Sequence, residues 1–137
     1  MTPAELARLF RAERRRFARH FPAVGRAQLY IGRRPRGEGA RAFGVARLPH
    51  RGQPGAPRVT LYREALRLPL PFVLGLVRHE LGHVADARVG RKGGEQRADD
   101  IAHAVTGERI RYAAVGRARA VQTVGRGRWP RPCYLHQ

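Results

Sequence analysis

Apolar residues recur along this chain at two different spacings, which separate helical segments from strands. Near the N-terminus the spacing is a broken helical rhythm, carried by Leu6, Leu9, Phe10, Phe17 and Phe21. Thr2 and Glu5 precede it in the arrangement of a capping box, with Pro3 at the first helical position. We therefore expect a first helix over roughly residues 3–20.

Three short segments rich in β-branched and aromatic residues follow, separated by stretches of Gly, Pro and Arg. They predict strands over residues 28–32, 41–48 and 58–63. The strands would form a small, mostly antiparallel three-stranded sheet, packed on the N-terminal helix and on the longest helix of the chain. With one or two further C-terminal helices, the pattern predicts an α+β fold.

The longest helical segment spans residues 72–86, and Pro69 and Pro71 set its start. One side of it carries an apolar stripe, formed by Val73, Val77, Leu81 and Val84. The other side carries two histidines and continues with apolar residues towards the start of the segment. Both faces of this helix should therefore be covered by other parts of the protein.

The two histidines and a neighbouring glutamate, His79, Glu80 and His83, form an HExxH pattern, which is typical of a zinc site. On a helix the two imidazoles lie roughly 40° apart and one turn apart in height, so both can reach one ion at ~2.1 Å. Glu80 lies at the flank of the same face, where it can act as a general base towards a water at the metal. A buried helix whose histidines are merely hydrogen-bonded would give the same pattern.

A second helical segment begins at Glu95 and ends before Gly107. It carries carboxylates, whereas the HExxH helix offers only two histidines as zinc ligands. A catalytic zinc takes three protein ligands, and a carboxylate from a neighbouring helix is a common third. Glu95, Asp99 and Ala102 share one face of this segment, so it can offer such a carboxylate. Asp99, one turn further on, is placed to hold the far nitrogen of a ligand histidine. Ala98 and Ala102 are small enough to let the two helices approach closely.

HExxH followed by Glu-x-x-Ala-Asp-x-x-Ala-x-x-x-Thr-Gly resembles the gluzincin metallopeptidases over residues 57 to about 115. The small size and the lack of a membrane span make the chain look like the minigluzincins, soluble minimal relatives of the CAAX prenyl protease and heat-shock protease family. The resemblance implies His79, His83 and Glu95 as the zinc ligands, Glu80 as general base and Asp99 behind a ligand. It also implies a substrate-binding edge strand near Ala42-Phe43. The interval from His83 to Glu95 is short for the family.

No motif fixes the residue that would stabilise the transition state. The candidates are His103, Arg111, Tyr112 and His136. Asp86 could support a ligand histidine, although a solvated aspartate at the end of the helix is the simpler interpretation.

Beyond Gly107 we expect a last helix over residues 108 to about 122. The metallopeptidase domain would then span residues 1–122, with residues 123–137 as a C-terminal tail. Cys133 and His136 in that tail are zinc ligands by type, so the tail could fold back onto the metal and keep an enzyme latent. A tail without this role is the simpler interpretation.

Composition adds one unusual feature, because 28 Lys and Arg against 10 Asp and Glu give a net charge of +18. All but Lys92 of the basic residues are Arg, which suits a polyanionic partner such as nucleic acid, or reflects codon bias and a highly charged surface. Since Cys133 is the only cysteine and no apolar leader opens the chain, we expect a cytoplasmic protein without disulfides. The longest apolar run is far short of the ~20 residues of a membrane span.

Together these patterns predict a zinc-dependent endopeptidase that acts on a peptide or protein substrate. Two alternatives stay open. The Arg excess would suit a nucleic-acid-associated protease similar to SprT-like proteins, and a zinc fold without turnover would suit a binding or regulatory protein. No pattern in the sequence indicates an oligomeric state.

Overall fold

The computed structural model describes residues 1–34, 43–49, 54–87, 94–115 and 118–124, with no side-chain description for 87, 113–115 and 118–124. The elements within these ranges are α1 Pro3–Ala18, β1 Gln28–Gly32, β2 Gly44–Arg47, β3 Arg58–Tyr62, α2 Leu70–Ala87, α3 Glu95–Thr106, β4 Arg109–Val115 and β5 Ala118–Val124. Short 3-10 helices, Pro22–Arg26 and Arg63–Arg67, follow α1 and β3. The α+β class is confirmed.

The first helix begins with the capping box that its sequence predicts. The Thr2 hydroxyl accepts from the Glu5 backbone N–H at 3.1 Å, and the Glu5 carboxylate accepts from the Thr2 N–H at 3.2 Å. Leu6, Phe10 and Phe17 bury one face of α1 in the core. Because the capping box sets where the helix starts and these residues set which face turns inward, α1 presents its arginine-rich side outwards.

The three-stranded sheet is mixed, so the expectation of a mostly antiparallel sheet is wrong in this detail. Its order is β1-β3-β2, with β1 parallel to β3 and β2 antiparallel to β3. Val59 and Leu61 of β3 are fully buried, as expected for a central strand. β3 therefore lies between β1 and β2, although it follows both in the sequence. The apolar pattern of a strand does not depend on which strand pairs with it, so the strand order could not be predicted from these patterns.

The expected last helix over residues 108–122 is also wrong, because this segment forms the β4–β5 hairpin. Val115 pairs with Ala118, which leaves two residues between the strands. Arg and apolar residues alternate at the start of β4, and β-branched residues recur through β5, which suits a strand better than a helix. Thr123 and Val124, which were expected in the tail, belong to β5, and residues 125–137 lie outside the described residues.

Helix α2 is the centre of the fold. Its apolar stripe, Val73, Val77, Leu81 and Val84, is fully buried, and α1, α3, β2 and β5 all lie against the helix. Arg78 and the residues of the HExxH pattern interrupt its apolar character. In the part of the chain that the structure describes, no helix is long and apolar enough to cross a bilayer.

Close packing of α2 on α3 depends on Gly82, which lies inside the HExxH pattern. A Cβ atom at this position would overlap the Ala98 carbonyl group and lie 3.0 Å from Ala98 Cα. Ala98 and Ala102 are themselves fully buried. The backbones of the two helices therefore meet with no side chain between them, which brings the first turns of α3 within reach of the histidines.

Arg78, the residue before the first histidine of the HExxH pattern, has a buried guanidinium that joins α2 to α1 and to the segment between α3 and β4. Arg78 donates through Nε and Nη2 to both carboxylate oxygens of Glu13 on α1, at 3.0 and 3.2 Å, and through Nη1 to Glu108 at 2.6 Å. Arg78 and Glu13 are 4% and 7% exposed. Bidentate geometry suits such a pair, because burial leaves little water to solvate either charge.

Replacing Arg78 by Met should therefore destabilise the fold by about 3–5 kcal/mol, since Glu13 would be left as a buried carboxylate without its partner. The free energy of unfolding in urea measures the effect. Arg16→Met is the matched control: Arg16 contacts the same carboxylate at 3.7 Å from an exposed position, so its loss should change stability by less than about 0.5 kcal/mol. Equal effects of the two changes would contradict this account.

Candidate metal centre

The HExxH pattern brings its three polar side chains together on α2. The ligand-type atoms of His79, Glu80 and His83 all lie within 4.8 Å of one another, so this group could hold a metal ion. The two Nε2 atoms are 3.1 Å apart. Helical spacing accounts for the approach, because residues four apart are neighbours on one face.

Glu95, in the first turn of α3, approaches both histidines more closely than Glu80 does. Its Oε2 lies 2.6 Å from His79 Nε2 and its Oε1 lies 3.4 Å from His83 Nε2. The nearest approach of Glu80 is 3.9 Å, from Oε1 to His79 Nε2. The Glu95 carboxylate thus contacts both imidazoles, whereas the Glu80 carboxylate lies beside His79 without a hydrogen bond to it.

Asp99 contacts the far side of the first imidazole. Its Oδ1 lies 2.7 Å from His79 Nδ1, and the Tyr112 hydroxyl on β4 lies 3.5 Å from the same nitrogen. An Nδ1–H that donates to Asp99 leaves the Nε2 lone pair pointing at His83 and Glu95. The Asp99 carboxylate thereby selects the tautomer that a metal ligand needs.

The charges of the centre depend on one another. Burial by itself lowers the pKa of His79, but hydrogen bonds to Asp99 and Glu95 outweigh it and raise that pKa to about 10. The same contacts with His79 and His83 hold the pKa of Glu95 well below its usual range. Without a metal, a proton on His79 balances the carboxylates around it, which is the charge that a bound cation would supply.

Glu80 differs from the other carboxylates because it is buried without a strong partner. Its Oε2 has no hydrogen-bond partner among the described residues; one oxygen each of Asp86 and Asp99 also has none, but those two carboxylates are hydrogen-bonded through the other oxygen. Burial raises the pKa of the Glu80 side chain above its usual value. An unsatisfied buried carboxylate oxygen normally costs stability, so its place beside two histidines calls for a chemical explanation. A carboxyl group with a raised pKa is suited to accept and release protons near neutral pH.

Asp86 is not the solvated helix-end aspartate that its position predicts. It is fully buried, and its Oδ1 accepts from Arg97 Nε on α3 at 2.8 Å. The pair joins the last turn of α2 to the first turn of α3, two residues after Glu95. The sequence offered one signal for this pair, because Asp86 near the end of one predicted helix and Arg97 near the start of the next carry opposite charges.

Three of the four transition-state candidates, His103, Arg111 and Tyr112, lie in the part of the chain that the structure describes. Among the described residues, no hydrogen bond joins the His103 imidazole to the HExxH side chains. The Tyr112 hydroxyl lies 3.5 Å from His79 Nδ1. Because successive side chains of a strand point to opposite faces, Arg111 is on the other face of β4. Cys133 and His136, the proposed latency ligands, lie outside the described residues.

The centre is closed on one side and open on the other. His79, Glu80 and Asp99 are buried, whereas the side chain of Glu95 is 51% exposed and that of His83 is 21% exposed. A ligand could thus approach the two Nε2 atoms from the solvent past Glu95. Comparison of the chain with protein-family models, with curated proteins and with solved structures finds no significant match, so the interpretation of this centre depends on its own geometry.

Proposed function

We propose that the protein is a zinc-dependent endopeptidase, with His79, His83 and Glu95 as the zinc ligands and Glu80 as the general base. The observation that carries the proposal is the convergence of three ligand atoms beside a buried carboxylate oxygen that has no partner. Two imidazoles and a carboxylate are a ligand set of catalytic zinc, which leaves a fourth position open.

The distances fit such an ion. Ligand atoms placed tetrahedrally at ~2.1 Å from zinc stand roughly 3.4 Å from one another. The three pairs in the centre are separated by 2.6, 3.1 and 3.4 Å, so binding requires small outward shifts of the side chains. The half-exposed Glu95 can make the largest of these shifts because it is the least enclosed of the three.

The choice between the two glutamates follows from the same distances. Glu95 contacts both imidazoles, whereas Glu80 is beyond hydrogen-bond distance of His79 Nε2. A side chain that stands next to the ligands without joining them can exchange protons and leave the metal bound. Glu80 is therefore assigned the proton transfer and Glu95 the ligation.

When bound, zinc supplies Lewis acidity, which lowers the pKa of a water and polarises the scissile carbonyl. Glu80 removes a proton from the attacking water and delivers it to the leaving amine nitrogen. Asp99 holds His79 in the tautomer whose Nε2 faces the cleft. The buried surroundings of Glu80 strengthen its interaction with developing charge, because little water competes there.

The substrate would lie along β2. This strand is at one end of the order β1-β3-β2, so in the described sheet only β3 pairs with it, and it also lies against α2. An extended peptide could add to the free edge by backbone hydrogen bonds. Such binding would present a peptide bond to the neighbouring helix, in line with the family that the sequence resembles.

Zinc binding by the full chain is the first test. We expect about one zinc per chain, and we expect Glu95→Gln to weaken zinc binding more than 100-fold, beyond the ~10–100-fold typical of losing a contact behind a ligand. Asp100→Asn is the matched control, because it removes an exposed carboxylate one helix face away. Competition with a chromophoric chelator measures both affinities, and unchanged affinity in Glu95→Gln would exclude Glu95 as the third ligand.

Hydrolysis is tested separately with a mixed peptide library. The metal-free chain should yield no cleavage products, and one equivalent of zinc should restore cleavage that a chelator again abolishes. If the protein binds zinc tightly but cleaves none of the peptides, a binding or regulatory role without turnover becomes the better interpretation.

A further inference from the structure

Helix α1 and its C-cap carry six arginines, and among the described residues only two of them make polar contacts within the fold. Arg14 donates to the Ala27 carbonyl at 2.8 Å and lies over the Phe10 ring, and Arg16 contacts Glu13. Four others, Arg8, Arg11, Arg15 and Arg19, are exposed, and no ion pair joins them to a carboxylate in the described part of the chain.

These four residues, called here the arginine stripe, share one face of the helix. At about 100° per residue they fall within an arc of about 80°, roughly opposite the buried Leu6, Phe10 and Phe17. From the first to the last the stripe extends about 16 Å along the axis. Both acidic residues of α1 lie off the stripe, since Glu5 closes the capping box and Glu13 is buried against Arg78.

We propose that the arginine stripe binds the phosphate backbone of double-stranded nucleic acid. A duplex carries about one charge per 1.7 Å of its axis with both strands counted, so a stretch of duplex as long as the stripe carries roughly ten phosphates. Guanidinium groups suit this partner because their donors match phosphate oxygens in pairs. Arg26, exposed in the 3-10 helix that packs on α1 through Gly25 and Ala18, adds a further cation near the same end.

Two features favour a duplex over other polyanions. The apolar face of α1 is already buried, so the helix has no residues to insert into a bilayer, as helices that lie on membranes do. The stripe also contains no aromatic residue on which unpaired bases could stack. Contacts would therefore be made to phosphates alone, without sequence preference.

The binding face and the metal centre are on different sides of the molecule. The buried face of α1 packs towards α2, and the stripe points the other way. Occupation of the stripe therefore leaves the centre open. The inference is independent of the proposed peptidase activity, and either can fail without the other.

Fluorescence anisotropy with a labelled 20-base-pair duplex of random sequence tests the stripe. The variant with Arg8, Arg11, Arg15 and Arg19 all changed to Gln should bind at least about 100-fold more weakly at ~50 mM salt. The slope of log K against log salt should fall by about 3–4, since four phosphate contacts are lost. A matched control changes four exposed arginines elsewhere, Arg33, Arg63, Arg67 and Arg109, to Gln and should weaken binding less than about tenfold.

The paired change Arg11→Gln with Arg15→Gln gives a second, milder variant, whose slope should fall by about 2. Helical circular dichroism and zinc content should match the wild type in every variant. Equal losses in the stripe and control variants would overturn the proposal, because diffuse charge would then account for binding. So would tighter binding to a single strand or to anionic vesicles, or no duplex binding by the wild type at ~50 mM salt.

Discussion

Changing Glu80 to Gln should remove almost all peptide hydrolysis and leave the zinc and the fold in place. Loss of a general base typically lowers the rate by about 10²–10⁴-fold. Gln has nearly the same shape as Glu but cannot take up a proton, and Glu80 is not among the ligands assigned to the metal. The variant should also unfold no more easily than the wild type, because it no longer buries a carboxylate whose Oε2 has no partner.

The measurement compares kcat/KM, zinc content and the urea midpoint of the two proteins. Glu64→Gln is the matched control, since it neutralises an exposed glutamate in the 3-10 helix before α2 and should leave all three unchanged. If the zinc-loaded Glu80→Gln protein cleaves peptides at the wild-type rate, Glu80 is not the base. If it loses its zinc, Glu80 is a ligand, and the two glutamates have been assigned the wrong way round.

The second large effect is expected from one methyl group. In Gly82→Ala the new Cβ meets the Ala98 backbone, which has no rotamer by which to give way. Overpacking of this kind typically costs about 1–3 kcal/mol. The overlap is relieved only when α3 moves off α2, which carries Glu95 and Asp99 away from His79. Zinc affinity should therefore fall about 10–100-fold, as when a contact behind a ligand is lost.

Gly32→Ala is the matched control, because a Cβ at that position makes only an ordinary contact of 3.7 Å with Thr60. It should change the urea midpoint slightly and zinc affinity not at all. Gly82→Ala with unchanged zinc affinity would mean that the position of α3 does not determine ligation. A loss of zinc binding in both variants would point to general destabilisation instead.

Local patterns in the sequence predict much of the centre, because its parts lie within single helices. The spacing of His79 and His83 requires only that their segment be helical, and the interval from Glu95 to Asp99 requires the same of the next. The capping box likewise predicts the start of α1 from four consecutive residues. Each of these patterns is complete within one or two turns.

What the sequence did not predict depends on partners that are distant along the chain. The strand order places β3 between β1 and β2, and no strand's own pattern selects its neighbours. Asp86 has the sequence position of a solvated residue, but it is buried and its carboxylate accepts a hydrogen bond from Arg97 on α3. The sequence alone does not show that Gly82 is required, because that requirement comes from the Ala98 backbone packed against it.

Helix α2 is held more firmly by the rest of the protein than the first turn of α3, and this difference would affect how quickly a bound metal ion exchanges. Helix α2 is enclosed on several sides, so its histidines move only with the core. Glu95 is in the first turn of α3, which follows Gly94, a residue with no side chain to cap the free N–H groups. Opening of that single turn would withdraw Glu95, the third ligand proposed above, and leave the two imidazoles fixed. In the proposed site, fraying at one helix end would then govern the rate of metal release, and the rigidity with which α2 holds the histidines would govern the affinity.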